Sequence, residues 1–132
     1  MNLLLDTHIW LWSVGERKRL SPRVAKELTD PTNQLWLSPI SVWEVQLLHR
    51  KKRIDLGEVD AGTWVQRTLK NLQFNEAPLT IDVVLEVSKL SLPHDDPADL
   101  FLVATAKVLG LTLVTADKHL QKAEGVSILA NR

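Results

Sequence analysis

A three-layer α/β sandwich, with a mostly parallel central sheet and helices on both faces, is the fold class this sequence predicts, and three observations predict it. Short apolar runs of strand length alternate with segments of helical periodicity along the 132 residues. The first such run, Leu3-Leu4-Leu5, is continuous rather than alternating, as a strand buried on both faces requires. No repeat, low-complexity stretch or linker breaks the alternation, so residues 1–132 are expected to form one domain.

Taken in order, residues 2–5 make the first strand, which stops abruptly at Asp6. A helix is expected to begin near Thr7 or His8. Ser21 offers a capping hydroxyl ahead of Pro22 at a first helical position, Val24 and Leu28 anchor a helix there, and Asp30-Pro31 closes it. Residues 34–38 (QLWLS) read as the second strand, and Ser41 opens a helix running to about residue 52 through Val45 and Leu48. Residues 60–72 place Trp64, Val65, Leu69 and Leu72 at helical spacing, while residues 74–79 are a weaker strand because Pro78 sits within it. Thr80 caps a helix carrying Val83, Val84, Val87 and Leu90, and residues 91–94 form a loop interrupted by Pro93. Asp96 is the expected N-cap of a helix that starts at Pro97 and stops at Gly110. Residues 111–114 are a clear strand, Asp117 follows it, and residues 126–129 supply a last edge strand.

Composition narrows the function classes. Sixteen basic and sixteen acidic residues cancel to a formal net charge of zero, so no global field draws the chain to a polyanion and any nucleic-acid site must be local. The absence of cysteine excludes disulfides, thiolate metal sites and cysteine nucleophiles, leaving oxygen and nitrogen donors as metal ligands. The apolar N-terminal stretch lacks a basic leader and is broken by Asp6 and His8, and no apolar run approaches the ~20 residues that span a bilayer. A cytoplasmic protein without membrane association is expected.

The acids carry the chemistry. In parallel sheets ligands bind beyond the carboxyl ends of the strands, and Asp6 and Asp117 both sit where an expected strand has just ended. Glu44 and Asp99 lie near helix starts and reach the same rim, so four carboxylates gather there. Such a cluster raises some of its own pKa values unless a cation joins it. Carboxylates are hard ligands that match Mg²⁺ or Mn²⁺, and such an ion activates water and neutralises a scissile phosphate. Each acid also has a plainer role. Glu44 fits the third position of a capping box opened by Ser41, and Asp99 complements a helix dipole three residues after Asp96. Asp117 serves equally as a turn residue, whereas Asp6, ending a buried strand, is an expensive place for a charge.

The segments LLLDTHIWLW, SPISVWEV, HDDPADLFLVATA and LVTAD, in that order, resemble the signature segments of PIN-domain ribonucleases, and most of all those of VapC-like toxins. The resemblance implies a PIN-like sandwich, an endoribonuclease dependent on Mg²⁺ or Mn²⁺, homodimerisation, and inhibition by a cognate antitoxin. Residue by residue it assigns the metal-holding and catalytic acids to Asp6, Glu44, Asp99 and Asp117, with Thr7, Thr115 and Asp96 in support. Thr115 matches a hydroxyl that orients a carboxylate, although a strand-end turn explains it equally well. One departure stands out: relatives often carry a base after the second Asp of this DPxD segment, where this chain has Leu100.

His8 and His94 neighbour the acids and are assigned structural roles, capping or packing for His8 and ordering of the Asp-rich turn for His94. The run His49-Arg50-Lys51-Lys52-Arg53 supplies a local basic patch for RNA, with a solvated helix C-terminus as its equal alternative, and Arg17-Lys18-Arg19 is a second patch. Trp10, Trp12, Trp36, Trp43 and Trp64 lie in apolar runs and are expected in core or dimer contacts. The reading is a ribonuclease that hydrolyses RNA by metal-activated water. Two alternatives compete: a non-catalytic interaction module, and an aspartyl-phosphate phosphatase, disfavoured because His8 stands where such enzymes place a second Asp.

Overall fold

The computed structural model describes residues 1–92 and 96–132. Pro93 and His94, in the loop expected at 91–94, lie outside the described residues. Strands β1 (Asn2–Leu5), β2 (Gln34–Leu37), β3 (Phe74–Glu76), β4 (Thr112–Thr115) and β5 (Ser127–Ala130) pair in the order β3-β2-β1-β4-β5. Every pair is parallel. Helices α1 (Thr7–Gly15), α2 (Pro22–Thr29), α3 (Pro39–Arg50), α4 (Ala61–Asn71), α5 (Ile81–Val87) and α6 (Pro97–Leu109) connect them.

The continuous Leu run of β1 is explained by a core on each side of the sheet. Leu3 and Leu5 pack with Ile9 and Trp10 of α1, Val24 of α2, Val45 of α3 and Val65 of α4. Leu4 points the other way, toward Leu102, Val103 and Ala106 of α6 and Leu113 of β4. All three leucines are buried, each contributing roughly 1.5–3 kcal/mol of apolar transfer. Trp10 fills the first core against Trp64, at 5.0 Å between ring centroids.

Caps set the helix starts. Ser21, Asp60, Thr80 and Asp96 accept hydrogen bonds from the first turns of α2, α4, α5 and α6. The start of α3 corrects the expectation at Ser41: the cap is Ser38, whose Oγ accepts from Ile40 N at 3.0 Å, with Pro39 at the first helical position. The same helix stops at Arg50 rather than 52, because Lys52 adopts a positive φ of 58°. Helix α5 ends at Val87, short of Leu90, where Lys89 N and Leu90 N turn back to Glu86 O and Val87 O. Strand β3 ends at Glu76, ahead of Pro78, and β5 runs one residue later than expected.

Gly110 closes α6 in the left-handed region, φ 68° and ψ 37°. Leu111 N then donates to Ala106 O at 2.9 Å, so Leu111 completes the helix end and β4 starts one residue later than expected. A Cβ at Gly110 meets nothing within 4 Å, so only backbone strain opposes alanine there. Gly110→Ala is expected to lower unfolding free energy by about 1–2 kcal/mol, read in urea as a lower midpoint with unchanged slope.

The chain lays β2 and β3 on one side of β1 and then β4 and β5 on the other. Its direction of winding therefore reverses between β1 and β4, and the crevice beyond their carboxyl ends is where such sheets bind ligands. Among the described residues no helix is long and apolar enough to cross a membrane.

Candidate active site

Asp6 leaves β1 at that crevice, its N–H still paired with Val114 O of β4 at 3.0 Å. Its side chain is 7% exposed. Oδ1 accepts from Thr7 N at 2.7 Å, and Oδ2 accepts from the buried Thr115 hydroxyl, also at 2.7 Å. Thr115 Oγ1 accepts in turn from Asp117 N at 3.0 Å. One hydroxyl at the end of β4 thus pins both strand-end acids. Ala116 separates β4 from Asp117, whose Oδ1 accepts from His119 N at 2.7 Å and Leu120 N at 3.3 Å. Asp117 is therefore a turn residue as well as a rim acid.

The remaining acids arrive from helices. Asp99 sits in the first turn of α6 and is buried, and Asp96 caps that helix through Oδ1, which accepts from Ala98 N at 3.0 Å. Glu44 lies in the second turn of α3, because that helix starts at Pro39. The capping box with Ser41 is overturned by this shift. Ser41 is buried, and its Oγ lies 3.1 Å from Thr7 Oγ1. The Thr7 hydroxyl donates that bond, which ties the start of α1 to α3.

Asp6, Glu44, Asp96, Asp99 and Asp117 line one cavity of about 280 Å³, together with His8, Trp12 and Ala116. Among the described residues no Lys or Arg lines it. Burial raises the Asp6 pKa from 3.8 to about 6; Asp99 adds to the rise, while the Thr115 hydroxyl, His8 and the Thr7 N–H oppose it. Burial likewise raises Glu44, with Asp6 and Asp96 adding to it and Thr7 and His8 opposing. Among the described residues no group of three or more His, Cys, Asp or Glu is placed to hold a metal ion.

Residues 3–126 match the family model of the PIN domain. The chain belongs to the PIN-domain family. "Ribonuclease VapC22" of Mycobacterium tuberculosis is 30% identical to this PIN domain over 122 residues, covering 90% of this chain and 89% of that one. The structure of VapBC2 from Rickettsia felis bound to a promoter DNA fragment matches all of both chains with a TM-score of 0.72 at 16% identity, a likeness of fold. A toxin-antitoxin complex from Klebsiella pneumoniae matches with a TM-score of 0.61 at 25% identity, covering 97% of this chain and 96% of that one.

Two residues of this PIN domain's pocket were given other roles by the sequence. Trp12 packs against the first core as expected, and its half-buried ring also walls the pocket. His8 packs its ring on Trp12, centroids 5.9 Å apart, and also lines the cavity, so its packing role and a place in the site coincide. Their i, i+4 spacing on a helix that starts beside Asp6 is the signal that places them on one face. Of the basic run, none of Arg50, Lys51, Lys52 and Arg53 lines the acidic cavity, and Leu100 is half-buried without lining it. His94 lies outside the described residues.

The Thr115 hydroxyl offers a direct test of the electrostatics. Its donated hydrogen bond lowers the pKa of Asp6, so Thr115→Val is expected to move the acid limb of a pH–rate profile to higher pH. An unmoved limb with a uniformly lower rate would assign Thr115 to the backbone turn instead.

Proposed function

We propose that this PIN domain, formed by residues 1–132 as one unit, is the endoribonuclease toxin of a toxin-antitoxin pair and hydrolyses RNA phosphodiester bonds with Mg²⁺ or Mn²⁺. The observation that carries the reading is the pocket at the β1–β4 switch point, which Asp6, Glu44, Asp99 and Asp117 line together, with no Lys or Arg among the described residues around them. The donor set fits a hard divalent cation: carboxylate oxygens, no sulfur, and two acids that burial holds above the usual carboxylate range. Holding an ion takes some rotation of the side chains, since no three of the described acids are gathered closely enough to hold one as they stand.

Bound there, a divalent cation supplies the charge that a scissile phosphate needs and acidifies water. The chain's own residues do the positioning. Thr115 and the Thr7 N–H fix the Asp6 carboxylate, and the Thr7 hydroxyl, donating to Ser41, ties α1 to the helix that carries Glu44. Asp96 caps α6 and so sets the turn that carries Asp99. Burial of Asp6 and Asp99 lowers the local dielectric, which strengthens the hydrogen bonds that hold Asp6 in place.

The likeness to VapC22 and to toxin-antitoxin complexes supports RNA as substrate and an antitoxin protein as partner. A homodimer is supported by the apolar face of α5, where Ile81, Val84 and Leu85 are exposed. Purified protein incubated with structured RNA and Mg²⁺ or Mn²⁺ is expected to cut it. Cleavage that persists undiminished in excess chelator would overturn the metal-dependent reading, and intact RNA together with indifference to Mn²⁺ in calorimetry would favour a non-catalytic module.

A further inference from the structure

The acidic pocket leaves the two basic runs of the sequence without a role, yet the fold brings one residue of each to a common place. Arg19, from the turn after α1, and Arg53, from the segment after α3, line one cavity of about 370 Å³. That cavity and the acidic pocket share His8 and Trp12 as a wall, so whatever occupies one abuts the occupant of the other. The Arg19 guanidinium lies over the Trp12 ring, 4.4 Å from its centroid, which presents a planar cationic face backed by an aromatic one.

Charge decides what fits. Glu16 lies 3.4 Å from Arg19 Nη1, and Asp55 accepts from Gly57 N at 2.8 Å, so two carboxylates accompany the two guanidinium groups on this wall. A bare phosphate needs net positive charge, which this balance does not provide. A nucleobase fits it: a flat π face to stack, with donors and acceptors alternating along its edge to meet both guanidinium and carboxylate. The base must be unpaired to enter, since a duplex hides its faces.

We infer that this cavity receives an unpaired nucleobase of the RNA strand beside the cleaved phosphodiester, stacked against the Trp12–Arg19 pair, with Arg53 at its edge. This rests on the ribonuclease reading and adds to it the means of choosing where to cut. It also accounts for a nucleic-acid site on a chain with no net charge, because stacking needs no global field.

The test begins by mapping the cut that the wild type makes in a hairpin RNA with an unpaired loop. A series of the same RNA carrying a single abasic nucleotide at each position around the cut is then assayed. One flanking abasic position is expected to lower kcat/KM roughly 5- to 100-fold for the wild type, the range that one base stack spans. The same position should have little effect on Arg19→Gln or Arg53→Gln, which have already lost the contact. Arg19→Lys, which keeps the charge and loses the plane, should behave like Arg19→Gln, and thermal melts check that each variant is folded. A flat abasic series on an RNA that the wild type does cut overturns the base pocket alone, as does an Arg19→Lys protein indistinguishable from wild type. Failure of the wild type to cut any RNA removes the ribonuclease reading and the pocket with it.

Discussion

Asp6→Asn is expected to make the protein more stable and nearly inactive at once. The folded state holds the Asp6 proton up to about pH 6, whereas the unfolded chain releases it near 3.8. Between those values the native state binds more protons, so stability falls as pH climbs through the window, and the full penalty persists above it. A shift of this size corresponds to about 3 kcal/mol at neutral pH, an upper bound that an uncharged asparagine avoids. Urea unfolding in metal-free buffer should therefore favour Asp6→Asn at pH 7, with the gap shrinking toward pH 4. Glu44 is shifted in the same direction and steepens the wild type's own gain on acidification. Cleavage of RNA by the variant should fall roughly 10²–10³-fold, the loss typical of removing one preorganised electrostatic group. A variant that melts no higher than wild type at pH 7 would show that the Asp6 carboxylate is well solvated or already paired.

A divalent cation is expected to act on the wild type as the asparagine does, by relieving the same charge. A ligand that binds only the folded state stabilises it by about 2.7 kcal/mol at one hundred times its dissociation constant. Mn²⁺ or Mg²⁺ should raise the melting temperature most at pH 7 and progressively less toward pH 5, where the carboxylates it displaces protons from are filling. Chelator should reverse the gain and abolish cleavage together, and Asp6→Asn should show a much smaller rise. Equal stabilisation of wild type and variant would place the ion away from Asp6.

Where a local rule had no competitor, the sequence was legible. Leu3-Leu4-Leu5 has one good explanation, a strand with a core on each face, and β1 begins and ends as expected. Ser21-Pro22, Thr80 and Asp96 announce helix starts by chemistry that needs no tertiary partner. Errors arose where two local rules overlapped. Ser38-Pro39 carries the same signature as Ser21-Pro22, but Ser41 and Glu44 also fit a capping box, and choosing the box moved the helix start and misread Ser41, which is buried against Thr7. Leu111 looks like the first residue of a strand and is instead consumed by the turn that closes α6. The rim was accessible for Asp6 and Asp117 because strand ends converge in any parallel sheet. The meeting of Arg19 with Arg53, and of Trp12 with the acids, depends on which helices become neighbours, and no single segment encodes that.

A wholly parallel sheet has a consequence in time. Neighbouring parallel strands cannot be joined by a tight hairpin, so each pairing waits for a long crossover to be made and closed. β1, formed from the earliest residues, meets β4 only when residues 112–115 exist, and the hydroxyl that pins Asp6 comes from the last of these. A growing chain therefore carries its first acid for most of its synthesis, at ~5–20 residues per second, before the opposite wall arrives. The rim that joins Asp6 to β4 therefore cannot close until all but roughly the last eighth of the chain has been made.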